Sequence, residues 1–381
     1  MRHDAHPSDR TTPAAASSLP SRKLMWLLAL VSTGLTACDE LHLRNTHDPV
    51  GDSAEISQWF YNMFLGLDAI ILAIVLLGWF VALLKFRKKD GDETLPEQSH
   101  GDMRLEVLWT VIPTFVVVAI TIPTLGGIFK LAEKPDANEK VVQVEVTGKQ
   151  WWWEFDYKQG EGAGIHTANE LHVPVGTRIW LDMTSADVIH AWWIPRIGGK
   201  RDATPGRSYP MYFTAKQVGI FDGQCAELCG ASHALMGTKL VVHPVAKEET
   251  FAYIAPNGDK QDVVIESYAD WVKKEQAIAA KPAAGTEEEA GQKLFQDKGC
   301  PACHLVSGFA ESAARSRTSG PNLSHVGSRM WIAANTLPNT TENLTKWIEN
   351  PQAVKPEALM TKFEFKPGEA QKIAKYLISL K

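Results

Sequence analysis

The chain has 381 residues, enough for two or three domains of ordinary size. Its formal net charge is only -5, and its basic residues form no long run, which argues against a surface for binding nucleic acid. Thirteen tryptophans are present, many of them beside apolar runs or in one aromatic cluster. That distribution is typical of membrane interfaces and redox sites rather than of an ordinary hydrophobic core.

The N-terminal segment predicts an export signal. Residues 22–38 read RKLMWLLALVSTGLTAC: two positive charges, a short apolar run and then small residues. The run is too short to span a membrane. Because its end resembles the bacterial lipobox, we expect residues 1–37 to be a lipoprotein-type signal peptide and Cys38 to be acylated. An ordinary signal peptide with an incidental cysteine is the alternative.

Two longer apolar segments follow, at 60–84 and 108–129, and each is long enough to cross a hydrocarbon core of roughly 30 Å. Residues 55–131 are therefore predicted to form a two-span transmembrane hairpin. Basic residues in a short loop mark the cytoplasmic side, so everything after Lys130 is expected to lie outside. The basic residues between the spans are Lys85, Arg87, Lys88, Lys89 and Arg104.

Residues 138–250 have the pattern of an all-β domain. VVQVEVTG and TRIWLDMT alternate, KLVVHPV is β-branched, and turn-forming residues separate these runs, as in a small sandwich of antiparallel strands. A helical segment, SYADWVKKEQAIA, ends this domain, and an Ala, Pro, Gly and Glu-rich linker is expected at 275–287. Residues 288–381 are predicted to form a third, all-α domain, with helical periodicity at both ends.

The third domain contains Cys300-Pro301-Ala302-Cys303-His304, the C-x-x-C-H pattern of c-type haem attachment. Two thiols at this spacing form thioethers to one porphyrin edge, and the next histidine binds the iron. Met360 is the expected sixth ligand, with Met330 as a rival. A redox or zinc C-x-x-C with an incidental histidine is the alternative. The domain resembles class I cytochrome c over nearly all of its length.

A second metal pattern occupies QCAELCGASHALM, which places Cys225, Cys229, His233 and Met236 close together. Soft sulfur with imidazole selects copper among the common metals. One cysteine is enough for a single blue copper, so the second indicates two metal ions bridged by two thiolates, on a cupredoxin-like sandwich. A disulfide, which an oxidising compartment favours, and a zinc site are the alternatives.

A further imidazole ligand is expected from an earlier loop. His190 is the best candidate, because it follows an apolar strand and precedes aromatic residues. His166, His172 and His243 compete with it, and the residue pattern alone leaves the choice open.

The first two thirds of the chain resemble subunit II of haem-copper cytochrome c oxidase, with a cytochrome c fused behind it. The matching stretches are HGDMRLEVLWTVIP, GKQWWWEFDY, ELHVPVGTRI, SADVIHAWWIPRIGGKRDATPGR and FDGQCAELCGASHALM. The resemblance implies a dinuclear copper centre of the CuA type, and it implies that the Glu227 carboxylate reaches a magnesium shared with the catalytic subunit. The implied copper ligands are His190, Cys225, the carbonyl of Glu227, Cys229, His233 and Met236.

Two further roles rest on the resemblance. Trp151 matches the tryptophan through which electrons enter, although simple interface packing is the alternative and is favoured for Trp152 and Trp153. Glu106 matches a glutamate at the cytoplasmic mouth of a proton path, and an ionisable group at the edge of a span agrees with this role. A solvated charge at the helix end is the alternative for Glu106.

The expected function is therefore electron entry into a respiratory cytochrome c oxidase. Neither span contains a histidine, so the chain relays electrons and requires a partner, subunit I, that reduces O2 and pumps protons. Subunit III, a cytochrome c or other donor, and lipid are the other expected partners, in a bacterial inner membrane with both metal domains on the periplasmic side. A quinol oxidase subunit, a copper-delivery lipoprotein and a nitrous oxide reductase are competing hypotheses.

Overall fold

The structure is a computed structural model that describes residues 44–255, 260–308 and 320–381, apart from positions 89, 92, 94, 96, 97 and 99. The predicted signal peptide and Cys38 lie outside the described residues, so their assignment stays a prediction.

Two long helices begin the described chain, α1 (Asp52–Lys85) and α2 (Met103–Leu131), and both are long and apolar enough to cross a membrane. They extend beyond the predicted spans because polar residues complete their ends. The Asp102 side chain, for example, caps α2 by accepting from the backbone N–H of Arg104. At Gly127, an added Cβ would lie 2.4 Å from the ring of Phe60, so the two helices touch closely there.

The second domain is a sandwich of two five-stranded sheets, with strand orders β3-β2-β1-β5-β8 and β4-β10-β9-β6-β7. The expectation of purely antiparallel strands is wrong, because β1 pairs with β5, and β4 with β10, in parallel. The strands are β1 (Val141–Lys149), β2 (Trp152–Gln159), β3 (His166–Ala168), β4 (Glu170–Pro174), β5 (Arg178–Ser185), β6 (His190–Trp193), β7 (Arg201–Ala203), β8 (Tyr209–Thr214), β9 (Gly219–Cys225) and β10 (Gly237–His243).

The sandwich core follows from alternation along the strands. In β1 and β5 every second side chain is buried, and residues such as Val146, Phe155 and Leu181 are fully enclosed. The rings of Trp153 and Trp192 fill the same core. Burying this much apolar surface is the main source of the domain's stability.

A hairpin and a helix follow the sandwich. The strands β11 (Glu249–Ile254) and β12 (Lys260–Ile265) pair antiparallel, and α3 (Tyr268–Glu275) ends the segment. The sequence pattern does not predict this hairpin. Its Tyr253 hydroxyl lies 2.5 Å from the ammonium of Lys239, which also pairs with Asp222 inside the protein.

The C-terminal domain is built from helices, as predicted, with one short strand pair. Helices α4 and α7 pack together, with Phe295 edge-on against Tyr376 at 5.8 Å. Gly291 permits this approach, since an added Cβ would lie 2.0 Å from the Lys372 carbonyl oxygen. The elements are α4 (Glu287–Asp297), β13 (Trp331–Ile332), β14 (Leu337–Pro338), α5 (Thr341–Glu349), α6 (Pro351–Val354) and α7 (Glu369–Ser379).

We expect the loss of the buried ion pair between Lys239 and Asp222 to lower the stability of the protein strongly. In the Asp222→Ala variant the Lys239 ammonium loses its charged partner inside the protein, so we expect a loss of about 3–5 kcal/mol in the free energy of unfolding. The measurement is a urea titration of the full chain followed by tryptophan fluorescence. Lys158→Met removes an exposed pair from the same sandwich and should cost less than about 1 kcal/mol. Equal losses in the two variants would contradict the expectation.

Candidate metal centres

The loop between β9 and β10 brings the four sulfur and imidazole residues together. Cys225 ends β9, His233 lies in a short 3-10 turn, and Met236 immediately precedes β10. The backbone N–H of Cys225 donates to the Met236 carbonyl at 2.9 Å, which closes the loop. Residues 225–236, called the ligand loop below, therefore form a compact unit at one end of the sandwich.

Within this loop the possible metal donors converge. The sulfurs of Cys225 and Cys229 are 3.8 Å apart, and the Cys229 sulfur lies 3.5 Å from Nδ1 of His233 and 3.8 Å from the sulfur of Met236. The Glu227 carbonyl oxygen lies 3.3 Å from the Cys225 sulfur. Five side-chain and backbone donors from one loop thus surround one small volume.

His190 completes the cluster from the start of β6. Its Nδ1 lies 4.0 Å from the Cys225 sulfur, while its Nε2 bonds the Asp187 carboxylate at 2.8 Å. Burial opposes a charge on His190, but the Asp187 bond and the Cys225 sulfur outweigh it and raise the pKa. Donation to Asp187 leaves Nδ1 facing the sulfurs, the usual arrangement of a metal-binding histidine. An added Cβ at Gly148 would lie 2.8 Å from the His190 ring, so glycine leaves room for it.

The two thiols are not joined. A disulfide needs sulfurs at about 2.05 Å, well short of the separation found here. The hydrogen bond between them lowers the pKa of Cys225 to about 3 and raises the pKa of Cys229, so one thiol ionises readily. Both sulfurs are buried, and with His190 they form a group whose ligand atoms lie within 4.8 Å of one another. This donor set fits soft metal ions such as copper.

The three rival histidines lie elsewhere. His172 and His243 face each other at 2.8 Å beside the ring of Trp271, and burial lowers the pKa of His243 to about 3. His166 bonds the Glu154 carboxylate at 2.7 Å. Each of them has a partner within the protein, and of the four candidates for the further imidazole ligand it is His190 that approaches a sulfur of the ligand loop.

A second site forms a mostly apolar cavity in the C-terminal domain. Cys300, Cys303, His304 and Met360 are among the residues that line it. The His304 Nδ1–H donates to the Pro321 carbonyl at 2.9 Å, which leaves Nε2 for a metal. Met330 packs instead with the residues around Tyr253, in a separate cluster. The cavity and its donors fit a haem attached through both cysteines, with His304 and Met360 as axial ligands.

Trp151 lies between the two sites. It lines the cavity of the C-terminal domain, and its indole N–H donates to the carbonyl of Cys229 at 2.9 Å. Trp152 also lines the cavity, whereas Trp153 is enclosed in the sandwich core. One aromatic ring therefore connects the cavity wall with the ligand loop.

Three further residues bond groups of these two sites, and the sequence does not predict that role for them. The Asp187 carboxylate bonds His190 and accepts from the backbone N–H of Gln150. The Gln150 side chain donates to the Cys229 carbonyl at 2.8 Å. Lys355 is buried, its ammonium donates to the Trp151 carbonyl at 2.5 Å, and burial lowers its pKa to about 7. The sequence offers one local indication of such a role: an acidic residue three positions before His190.

Two other predicted site residues lie apart from the clusters. The Glu227 side chain is exposed at the tip of the ligand loop, beside exposed Leu228. Glu106 lies in the first turn of α2, at the end of that helix remote from the sandwich in sequence.

Family models match three successive parts of the chain: the transmembrane domain of cytochrome c oxidase subunit II at 45–126, its periplasmic domain at 156–245, and cytochrome c at 288–381. A cytochrome c oxidase subunit 2 from Alkalihalophilus pseudofirmus is 35% identical over 361 residues, covering 93% of this chain and 96% of its own. The chain belongs to the cytochrome c oxidase subunit II family.

Two further subunit II relatives come from Bacillus subtilis. A cytochrome c oxidase subunit 2 is 30% identical and covers 94% of this chain and 98% of its own. A quinol oxidase subunit 2 is 30% identical but covers only 61% of this chain and 67% of its own. As a subunit II with a cytochrome c domain, the chain has an electron-transfer role in an oxidase complex with partner subunits, and its domains imply a copper centre and a haem.

The position of Glu154 in subunit II predicts an acid-dependent stability. Burial opposes its charge, but the hydrogen bond from His166 and the attraction of Lys149 outweigh it and lower the pKa to about 2. The ionised carboxylate therefore stabilises the fold above its usual pKa of 4.5, by about 3 kcal/mol, and this contribution is lost as the pH falls towards 2.

Glu154→Gln should be less stable than the unaltered chain at pH 7, and the difference should shrink below pH 4.5. Urea titrations of both chains at several pH values measure it. A stability gap that stays constant between pH 7 and pH 3 would contradict the assignment.

Proposed function

We propose that this chain is the electron-entry subunit of a proton-translocating cytochrome c oxidase. In this function, electrons from cytochrome c and from the chain's own haem pass by way of a dinuclear copper centre to the O2-reducing subunit I. The observation that carries the proposal is Trp151, whose indole lines the haem cavity and bonds the carbonyl of Cys229. A contact of this kind shortens the path that an electron must travel between the two sites.

The proposed copper centre is of the CuA type, held by His190, Cys225, the Glu227 carbonyl, Cys229, His233 and Met236. When bound, such a centre shares one electron between two equivalent metal ions, so little rearrangement accompanies electron arrival or departure. The protein's own part is to keep the two thiols apart at 3.8 Å and to orient His190 through Asp187. The buried position of both sulfurs also excludes water.

The residues that would hold the proposed haem are Cys300 and Cys303, through thioethers, and His304 and Met360, as ligands of its iron. A thioether ligand raises the haem potential relative to a second histidine. The bond from His304 to the Pro321 carbonyl fixes the imidazole tautomer and its orientation. These residues and Trp151 line the same cavity, so a haem held by them would lie near that indole.

Glu227 and Glu106 have proposed roles toward partners of this chain, namely the magnesium shared with subunit I and a proton path. We propose that Glu227, exposed on the ligand loop, contributes a magnesium ligand at the contact with subunit I, and that Glu106 serves the cytoplasmic entrance of a proton path. Subunit III and an external cytochrome c or other donor complete the set. The chain would lie in a bacterial inner membrane with both metal domains on the periplasmic side.

The quinol oxidase alternative is disfavoured by the complete copper ligand set. A subunit II that accepts electrons from quinol needs neither paired thiols nor a fused haem domain. A copper-delivery protein likewise has no need for the C-x-x-C-H motif, and a nitrous oxide reductase carries its copper domain on a large soluble unit.

The proposal predicts two copper ions and one c-type haem per chain. Cys229→Ser removes a bridging thiolate, so the oxidase complex should lose its near-infrared mixed-valence copper band while the haem band is unchanged. Metal analysis and visible to near-infrared spectra measure both. Cys300→Ser should have the reverse effect, and one copper per chain in the unaltered complex would overturn the proposal.

A substitution at Trp151 is expected to change the rate of electron transfer from haem to copper rather than the metal content. In Trp151→Phe the indole N–H bond to Cys229 is lost, and we expect electron transfer from haem to copper to slow by about tenfold or more, with copper content and both potentials nearly unchanged. Flash-induced reduction of the haem, followed by absorbance at the copper band, gives the rate. Trp152→Phe is the matched control, and equal slowing in both variants would contradict a specific role for Trp151.

A further inference from the structure

The haem domain contacts the ligand loop through one short segment of backbone. Ala333, Ala334 and Asn335 form a turn between β13 and β14 in which all three residues have positive φ, between 51° and 65°. Such conformations are unfavourable for residues with a Cβ and persist where surrounding contacts hold them. Here Ala334 and Asn335 bond the copper-binding domain, whereas Ala333 bonds groups of the haem domain.

Two hydrogen bonds and one longer polar contact join this part of the haem domain to the ligand loop and its end. The Gly237 N–H donates to the Ala334 carbonyl at 2.9 Å, and the Thr336 hydroxyl lies 3.3 Å from the Leu235 carbonyl. The Ser232 hydroxyl donates to the Pro356 carbonyl at 2.5 Å. These bonds fall at residues adjacent to His233 and Met236, the last two proposed copper ligands.

Lys355 connects the same turn to Trp151. Its ammonium donates to the carbonyl of Trp151 at 2.5 Å and to the carbonyl of Ala333 at 3.2 Å. Lys355 is buried, with only 3% of its surface exposed. Trp151 in turn donates to the Cys229 carbonyl. The side chain therefore supports the ligand loop indirectly, at the point opposite the contacts made by Ser232 and Gly237.

We propose that residues 333–336 and 355–356 of the haem domain act as a brace that holds the ligand loop and Trp151 in the positions required for metal binding, with Lys355 as its central positioning residue. The significance for copper rests on the proposed function, whereas the bracing itself is a property of the polypeptide. By linkage, a loop held in place before the metal arrives also retains the metal more tightly.

The test uses the full chain in its oxidase complex, with haem attached and copper left out. Lys355→Met keeps the apolar stem and removes the ammonium, which leaves the buried Trp151 carbonyl without this donor. We expect backbone amides of residues 226–237 to exchange hydrogen about tenfold faster, the effect of losing one buried hydrogen bond. Labelling of the Cys225 and Cys229 thiols, read on peptides by mass spectrometry, should accelerate to a similar extent.

Gly237→Ala is the second variant. Its new Cβ would lie 2.7 Å from the Asn335 Cβ, so it pushes the brace away while Lys355 stays intact. The same increase in exchange is expected, and this variant keeps the test decisive if Lys355→Met fails to assemble.

Asn322→Asp is the matched control, because Asn322 donates across the same two domains to the His166 carbonyl at 2.8 Å, on β3 and away from the ligand loop. Exchange in residues 226–237 should be unchanged in this variant. The proposal is overturned if the two brace variants exchange like the unaltered chain, or if the control accelerates the loop equally. Copper analysis of the loaded complex is separate, so a failure of the dinuclear copper assignment would be distinguished from a failure of the brace.

Discussion

Two sulfur atoms 3.8 Å apart, buried and unbonded, are the constraint on which this end of the molecule depends. An oxidising compartment favours their joining, so the fold must keep them separate. The closed loop between β9 and β10 does this locally, through the bond from the Cys225 N–H to the Met236 carbonyl. Asp187 contributes to this separation by bonding His190, which places the imidazole beside the Cys225 sulfur.

The second site is linked to the first by contact rather than by a flexible tether alone. The cavity of the haem domain opens onto Trp151, and polar contacts from the haem domain surround that residue and the ligand loop. Buried polar groups are expensive unless each one finds a partner, so these contacts define one relative arrangement of the two domains within the described residues. The turn at 333–335, with its positive φ values, takes part in these contacts through Ala334 and Asn335.

The sequence predicted the parts of this structure that local patterns encode. Two spans, a β-sandwich, the C-x-x-C-H motif and four donors of the ligand loop all lie within short windows, where spacing and residue type carry the information. The choice of His190 over His172 needed the resemblance to a family, because the residues beside His190 favour it without excluding the other histidines. The structure separates them at once, since His172 pairs with His243.

What the sequence could not give depends on contacts between distant segments. The parallel pairing of β1 with β5 is set by packing, because alternation is the same in parallel and antiparallel strands. Lys355 lies 204 residues from Trp151 in the chain, and its surroundings look like those of a solvated lysine until the domains are assembled. The residue pattern does not predict the pairing of β11 with β12, because both strands are short and mixed in polarity.

The burial of Trp151, which is only 5% exposed, has a kinetic consequence. In the proposed function, a diffusing carrier protein would have no direct access to this buried ring, so it would deliver its electron at the outer surface of the fused domain. Dissolved salt screens such an encounter between charged surfaces, but it has little influence on a transfer between groups enclosed within one polypeptide. Turnover should therefore divide into a second-order step that responds to ionic strength and a first-order step that does not.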